Sequence, residues 1–164
     1  MRTFKTFLYT LLLLLTIVGC DSVIDDKADE VNEYVKVGDH VPTFSVATVR
    51  ADGTTSTFST ETLTGETVIV LFNTSCGDCQ RDLPLLNNYY LEHRNEPGFQ
   101  MVAISREEEA ESVAAYWQAN NLSIPYSAQT DRNIYDLFAS SIIPRIYFCN
   151  AEGIVTKVCV ETFN

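Results

Sequence analysis

Hydrophobic and polar positions change period several times between residues 41 and 160, and each change marks an element. Residues 41–49 and 54–58 are short β-prone runs on either side of Ala51-Asp52-Gly53, and an Asp-Gly pair between such runs predicts a hairpin. Residues 67–73, TVIVLFN, are apolar without alternation, the pattern of a strand buried on both faces of a sheet. Over 79–93 the apolar residues fall at 83, 86 and 90, with 85, 89 and 91 alongside. That spacing predicts a helix with one broad buried face, kinked at Pro84 where a backbone donor is missing. Residues 100–105 read as a second buried strand. The stretch 107–120 reads as a helix with Val113, Ala114 and Trp117 inward. Its acidic run Glu107-Glu108-Glu109 suits the N-terminal dipole and needs no functional role. A brief strand is expected at 124–127, a short helix capped by Asp131 over 131–140, and a strand at 145–149. A turn at 150–153 then returns the chain antiparallel over 154–160. A hairpin followed by β-α-β-α-β-β predicts an α/β fold, a mixed central sheet with helices on both faces.

The N-terminal segment lies outside that pattern. Arg2 and Lys5 precede an apolar stretch of roughly a dozen residues and then small residues, so 1–19 reads as a secretory signal peptide. The stretch falls short of the about 20 apolar residues a spanning helix needs. Ile17-Val18-Gly19-Cys20 resembles a bacterial lipobox, which implies cleavage before Cys20 and a lipid on that cysteine. Residues 20–35 are acidic and poor in large apolar side chains, the composition of a tether. Residues 36–164 are enough chain for one domain with one core.

Lys and Arg number 11 against 22 Asp and Glu, a net charge of −11. Binding a nucleic-acid backbone requires basic side chains that displace counterions, so no nucleic-acid partner is expected. The acidity reads instead as a solvated surface.

Candidate chemistry concentrates at Cys76-Gly77-Asp78-Cys79, between the apolar strand and the first helix. A zinc site takes four ligands, but there is no second cysteine pair at ligand spacing and His40 and His93 lie far away in sequence, so no metal is expected. A structural disulfide across two residues constrains the unfolded chain very little. The redox reading explains the placement, because a thiolate at a helix N-terminus is stabilised by backbone N–H groups.

Several other features coincide with this pair: Val37-Gly38-Asp39, Val41-Pro42-Thr43-Phe44, Gly65, Val70-Leu71-Phe72-Asn73, Leu83-Pro84, Ile143-Pro144 and Asn150-Ala151-Glu152-Gly153. Together they resemble the thioredoxin fold, and within it the TlpA/ResA-like extracytoplasmic thiol-disulfide oxidoreductases. The resemblance implies a thioredoxin-like α/β/α sandwich with an N-terminal β-hairpin. It makes Cys76 the nucleophile, Cys79 the resolving thiol, and their disulfide the redox group, with no other cofactor. It makes Ile143-Pro144 a cis-proline loop whose backbone pairs with substrate, beside Ser75, Gly77 and Asp78. Asp82 falls where the subfamily carries a carboxylate, so it is either a general base for Cys79 or a solvated aspartate in a first helical turn.

Three departures stand out. Ser75 replaces the family's Trp, which alters the apolar rim offered to substrates. Asp78 sets an acidic group beside the thiols, which disfavours thiolate and points to a reducing catalyst. After Asn164 there is no room for a terminal helix, so one sheet face is expected to be less covered, or covered by a partner. Cys149 and Cys159 are not expected to pair: a two-residue loop would set Cys159 opposite Pro144, roughly 16 Å along the strand from Cys149. They read as small buried apolar residues.

The leading expectation is an exported, lipid-anchored, periplasm-facing thiol-disulfide oxidoreductase that reduces or isomerises protein disulfides and draws electrons from a membrane redox partner. The alternatives are a peroxiredoxin-like thiol peroxidase and a non-catalytic binding module of the envelope. The peroxidase pattern has a Thr three residues before the reactive cysteine, where this chain has Asn73.

Overall fold

The computed structural model describes residues 33–163. The signal peptide at 1–19, Cys20 and most of the tether lie outside the described residues. Within them, β1 (Ser45–Val49) and β2 (Thr55–Ser59) form the expected hairpin, and β3 (Thr67–Phe72) leads into helix α1 (Gly77–His93). Then come β4 (Gln100–Ser105), helix α2 (Ala110–Ala119), β5 (Tyr126–Ser127), β6 (Arg145–Cys149) and β7 (Val155–Val160). The strands form one sheet in the order β2-β1-β5-β4-β3-β6-β7. The β3–β4 and β4–β5 pairs are parallel, and β3–β6, β6–β7, β1–β2 and β1–β5 are antiparallel. The chain is thus α/β with a mixed sheet. Among the described residues no helix is long and apolar enough to cross a membrane.

Successive side chains of a strand point to opposite faces, and β3 supplies both sides of the core. Val68, Val70 and Phe72 pack with Cys79, Leu83 and Leu86 of α1 and with Val113 and Trp117 of α2. Ile69 and Leu71 pack on the other side against Val41, Phe44, Val46, Phe58, Tyr135 and Phe138. All six β3 residues are buried, as an unalternated apolar run requires.

Several expectations need correction. Both helices lie in the first layer, and the second face is covered by the N-terminal segment and the stretch around Tyr135. The helix expected over 131–140 is a single 3-10 turn, Tyr135–Leu137. Asp131 spends its carboxylate on the Asn133 backbone and side chain, while Ala139 leaves the turn to bridge Glu33. That bridge also moves the domain boundary: Val35 is buried, and the N–H groups of Tyr34 and Val35 donate to the Phe138 carbonyl. The ordered domain therefore extends to at least Glu33. Helix α1 starts at Gly77, two residues before the position expected. Ala114 is exposed. After β7, the described chain turns back, and Phe163 stacks on Phe148 at 6.4 Å and meets Tyr89 edge-on, covering part of the helical face.

The β6–β7 register also differs from expectation. Cys159 pairs with Ile146 and Cys149 with Val155, with an irregularity between Phe148 and Cys149. The two cysteines nonetheless remain apart as free thiols, in core clusters on opposite sheet faces.

Candidate active site

The thiols sit where β3 ends. Cys76 is the N-cap residue of α1 in extended conformation, so the helix begins one residue beyond it. The turn carrying it is shaped by Asn73, whose Oδ1 accepts from the Ser75 N–H at 2.9 Å and hydroxyl at 2.6 Å. Asn73 Nδ2 donates to the Arg106 carbonyl at 2.9 Å, and the Asn73 carbonyl accepts from the Cys76 N–H at 3.1 Å. One side chain thus ties the β3 end, the turn carrying Cys76 and the β4 end together.

Glu108 supports the same turn from below. Its carboxylate accepts the Thr74 N–H at 3.0 Å and also the Thr74 hydroxyl. It is buried, and the Glu107-Glu108-Glu109 run precedes α2 instead of lining its first turn. The run is therefore not merely a solvated, dipole-matched patch: its central residue holds the turn leading to Cys76.

Cys79 is fully buried one turn into α1, while Cys76 is half-buried. Burial pushes the Cys79 thiol far above its ordinary range, and the neighbouring Cys76 and Asp78 add to the rise against an opposing backbone contact from Asn73. The pair is thus asymmetric: one accessible sulfur, and one sequestered sulfur that is poorly ionised unless something drives it.

Beside Cys76 lies the loop before β6. The Ile143–Pro144 peptide is cis, as the resemblance implied. The Cys76 Sγ–H donates to the Ile143 carbonyl at 3.6 Å. Cys76, Cys79, Ile143 and Pro144 are therefore brought together, with exposed Ser75 and Gly77 on the flank.

The acidic neighbours are placed differently from expectation. Asp78 is paired with Arg81 at 2.5 Å, which partly offsets its charge, and it still adds to the rise of the Cys79 thiol. Asp82 is not a solvated aspartate: it is 1% exposed, Oδ1 accepts from Arg81 Nε at 2.8 Å and Oδ2 from the Phe163 N–H at 2.7 Å. Arg81 Nη2 also donates to the Glu161 carbonyl at 2.6 Å. The carboxylate thus anchors the segment after β7 to α1. Among the described residues no group of three or more His, Cys, Asp or Glu side chains is arranged to hold a metal ion.

Sequence reading missed the roles of Asn73, Glu108 and Arg81. An Asx turn ahead of the cysteines was available as a signal for Asn73. Glu108 acts across a contact between distant residues, as does Arg81 at the Glu161 carbonyl, for which the sequence offers no periodic signal; the Asp78–Arg81 pair, three residues apart on a helix, was locally readable.

Among known proteins, the chain is 26% identical to the thiol-disulfide oxidoreductase ResA of Bacillus subtilis over 96% of this chain and 86% of that protein. It is 24% identical to ResA of Oceanobacillus iheyensis over 93% of this chain and 79% of the other. Its fold matches a thiol:disulfide interchange protein of the thioredoxin family from Chlorobium tepidum with a TM-score of 0.63 at 23% identity, covering 79% of this chain and 90% of that one. The model of the AhpC/TSA family matches residues 37–158, a span that contains Cys76, Cys79 and the cis Ile143–Pro144 peptide. The chain therefore belongs to the AhpC/TSA family, with a thioredoxin-like fold.

Proposed function

We propose that this protein is a thiol-disulfide oxidoreductase that reduces or isomerises disulfides of protein substrates. The observation that supports the reading most is the asymmetric pair: half-buried Cys76 at the helix start against the Ile143 carbonyl, with Cys79 sealed behind it. In the reaction, the Cys76 thiolate attacks one sulfur of a substrate disulfide. A Cys76–substrate mixed disulfide forms, and the other substrate sulfur leaves as a thiolate and takes a proton. Cys79, once deprotonated, attacks the Cys76 sulfur and releases the second substrate thiol. Two electrons pass to the substrate and a Cys76–Cys79 disulfide remains, which a dithiol partner at the membrane reduces again.

Asp82 is the acceptor we assign to the Cys79 proton; each of its oxygens accepts one hydrogen bond, from Arg81 and from the Phe163 N–H, and keeps a lone pair for that proton. An extended substrate segment pairs with the backbone of Ile143, ahead of the cis-proline and flanked by Ser75, Gly77 and Asp78. The layout of residues 1–20 supports export and lipid anchoring at Cys20 in a bacterial envelope, on the periplasm-facing side. The curated relatives' names support the same reaction class. A peroxidase reading has less support, since the position three residues before Cys76 is Asn73 instead of the Thr of that pattern, and its Oδ1 and one N–H are taken by Ser75 and the Arg106 carbonyl.

Insulin reduction with dithiothreitol tests the reading. The full domain is expected to accelerate precipitation of the insulin B chain, and Cys76→Ser to abolish the acceleration. A wild-type domain with no effect on insulin but rapid turnover of hydrogen peroxide would overturn it.

A further inference from the structure

The loop that carries Ile143 is held in an unusual way. Ile142 has φ 69°, a left-handed conformation that a β-branched residue rarely adopts. Such a conformation persists only where the surroundings over-determine it. Here three consecutive carbonyls are each claimed by a side chain. Arg132 Nη2 donates to the Ser140 carbonyl at 2.7 Å. The Arg145 Nε–H is shared between the Ser141 carbonyl at 3.0 Å and the Ile142 carbonyl at 3.2 Å. The Tyr135 hydroxyl donates to the same Ile142 carbonyl at 2.8 Å.

These donors support one another. The Tyr135 ring is 2% exposed and has two guanidinium groups over it, Arg106 at 4.4 Å and Arg132 at 4.9 Å. Arg145 is fully buried, and Glu33 meets its Nη1 at 3.4 Å. A buried guanidinium is costly unless its donors are used; here Nε serves the loop and Nη1 meets Glu33, while Nη2 has no hydrogen-bond partner among the described residues. The next two carbonyls continue the series: Ile143 accepts from Cys76, and Pro144 accepts from the Glu161 N–H at 2.9 Å.

We infer that Arg132, Tyr135 and Arg145 are positioning residues. They hold Ile142 left-handed and so fix the Ile143 edge at its working distance from Cys76, which sets how well that edge receives a substrate strand. The inference rests on the proposed oxidoreductase reading for its consequence, though not for the clamp itself.

Tyr135→Phe removes one hydroxyl and leaves the ring under both guanidinium groups. It should raise the KM for insulin disulfides roughly 3- to 10-fold, the loss of one hydrogen bond, with kcat unchanged. In an Ile142→Gly background the left-handed conformation carries no side-chain penalty. There the same substitution should change KM less than about twofold. Amide hydrogen exchange over 140–143 gives the comparison without turnover: Tyr135→Phe should speed it by a similar factor in the Ile142 protein and hardly at all in the Ile142→Gly protein. An equal effect in both backgrounds, or no effect in either, would overturn the clamp. A wild-type protein inactive on insulin would sink the oxidoreductase reading and leave the clamp to be judged by exchange.

Discussion

Glu108 takes both donors of Thr74, two residues before Cys76. Glu108→Ala would leave a part-buried backbone N–H without its acceptor, and the expected cost is about 1–3 kcal/mol in urea denaturation, with slower insulin reduction. Glu108→Gln keeps one acceptor oxygen and should retain most of both. Cys79 gives a pH signature. Burial raises its thiol, so its thiolate fraction is small near neutrality and grows with each step of pH. Stopped-flow resolution of a preformed mixed disulfide should therefore speed up steadily into the alkaline range. Asp82→Asn should slow that resolution; a rate unchanged at every pH would remove Asp82 from proton transfer and leave it only its anchoring contacts. Cys149 makes its mark on stability. Burial lifts its thiol from 9.0 to about 11, so the folded chain keeps a proton that the unfolded chain releases. The stability from this group is full below about pH 9 and is lost as the pH climbs toward 11, by up to roughly 3 kcal/mol. Denaturation of Cys149→Ala across that window should show a shallower decline than the wild type.

The elements meet most tightly where β3 and β4 begin. A Cβ on Gly65 would lie 2.7 Å from the Gly98 carbonyl carbon and oxygen, backbone that cannot swing aside. Gly65→Ala should therefore destabilise the domain by about 1–3 kcal/mol, read as a lower denaturation midpoint with unchanged slope. The core elements β3, α1 and β4 were legible in the sequence because their patterns are local: an unbroken apolar run, a helical spacing and a second apolar run. The cysteine pair and Ile143-Pro144 were legible because motif and placement coincided. Residues 131–140 misled because Tyr135, Phe138 and Ala139 keep helical spacing, yet the bridge to Glu33 and the arginine contacts to the next carbonyls draw the chain out of a helix. The β6–β7 register misled because an irregularity at Phe148/Cys149 shifts the pairing, which no residue type announces. Glu108 went unread because its partner Thr74 lies 34 residues away in the chain, and Arg145 because its hold on the Ser141 and Ile142 carbonyls depends on a left-handed turn that no residue type announces.

At the scale of the whole molecule, the sheet brings separate segments to one end. The turn after β3, the start of α1, the chain after β4 and the loop before β6 converge there, and the segment after β7 is pinned to α1 through Arg81 and Asp82. The surrounding chain is acidic, at −11 overall, while the carboxylates nearest the thiols are bound to Arg81 or to backbone. The fold thus leaves Cys76 as the accessible thiol among Cys76, Cys79, Cys149 and Cys159, the other three being buried. The direct test of that central claim is trapping: Cys79→Ala is incubated with a disulfide-bonded protein substrate, and the mixed disulfide is mapped by mass spectrometry. The account predicts a stable adduct on Cys76 that dithiothreitol releases. An adduct on Cys149 or Cys159, or no adduct under conditions in which the wild type reduces the substrate, would contradict it.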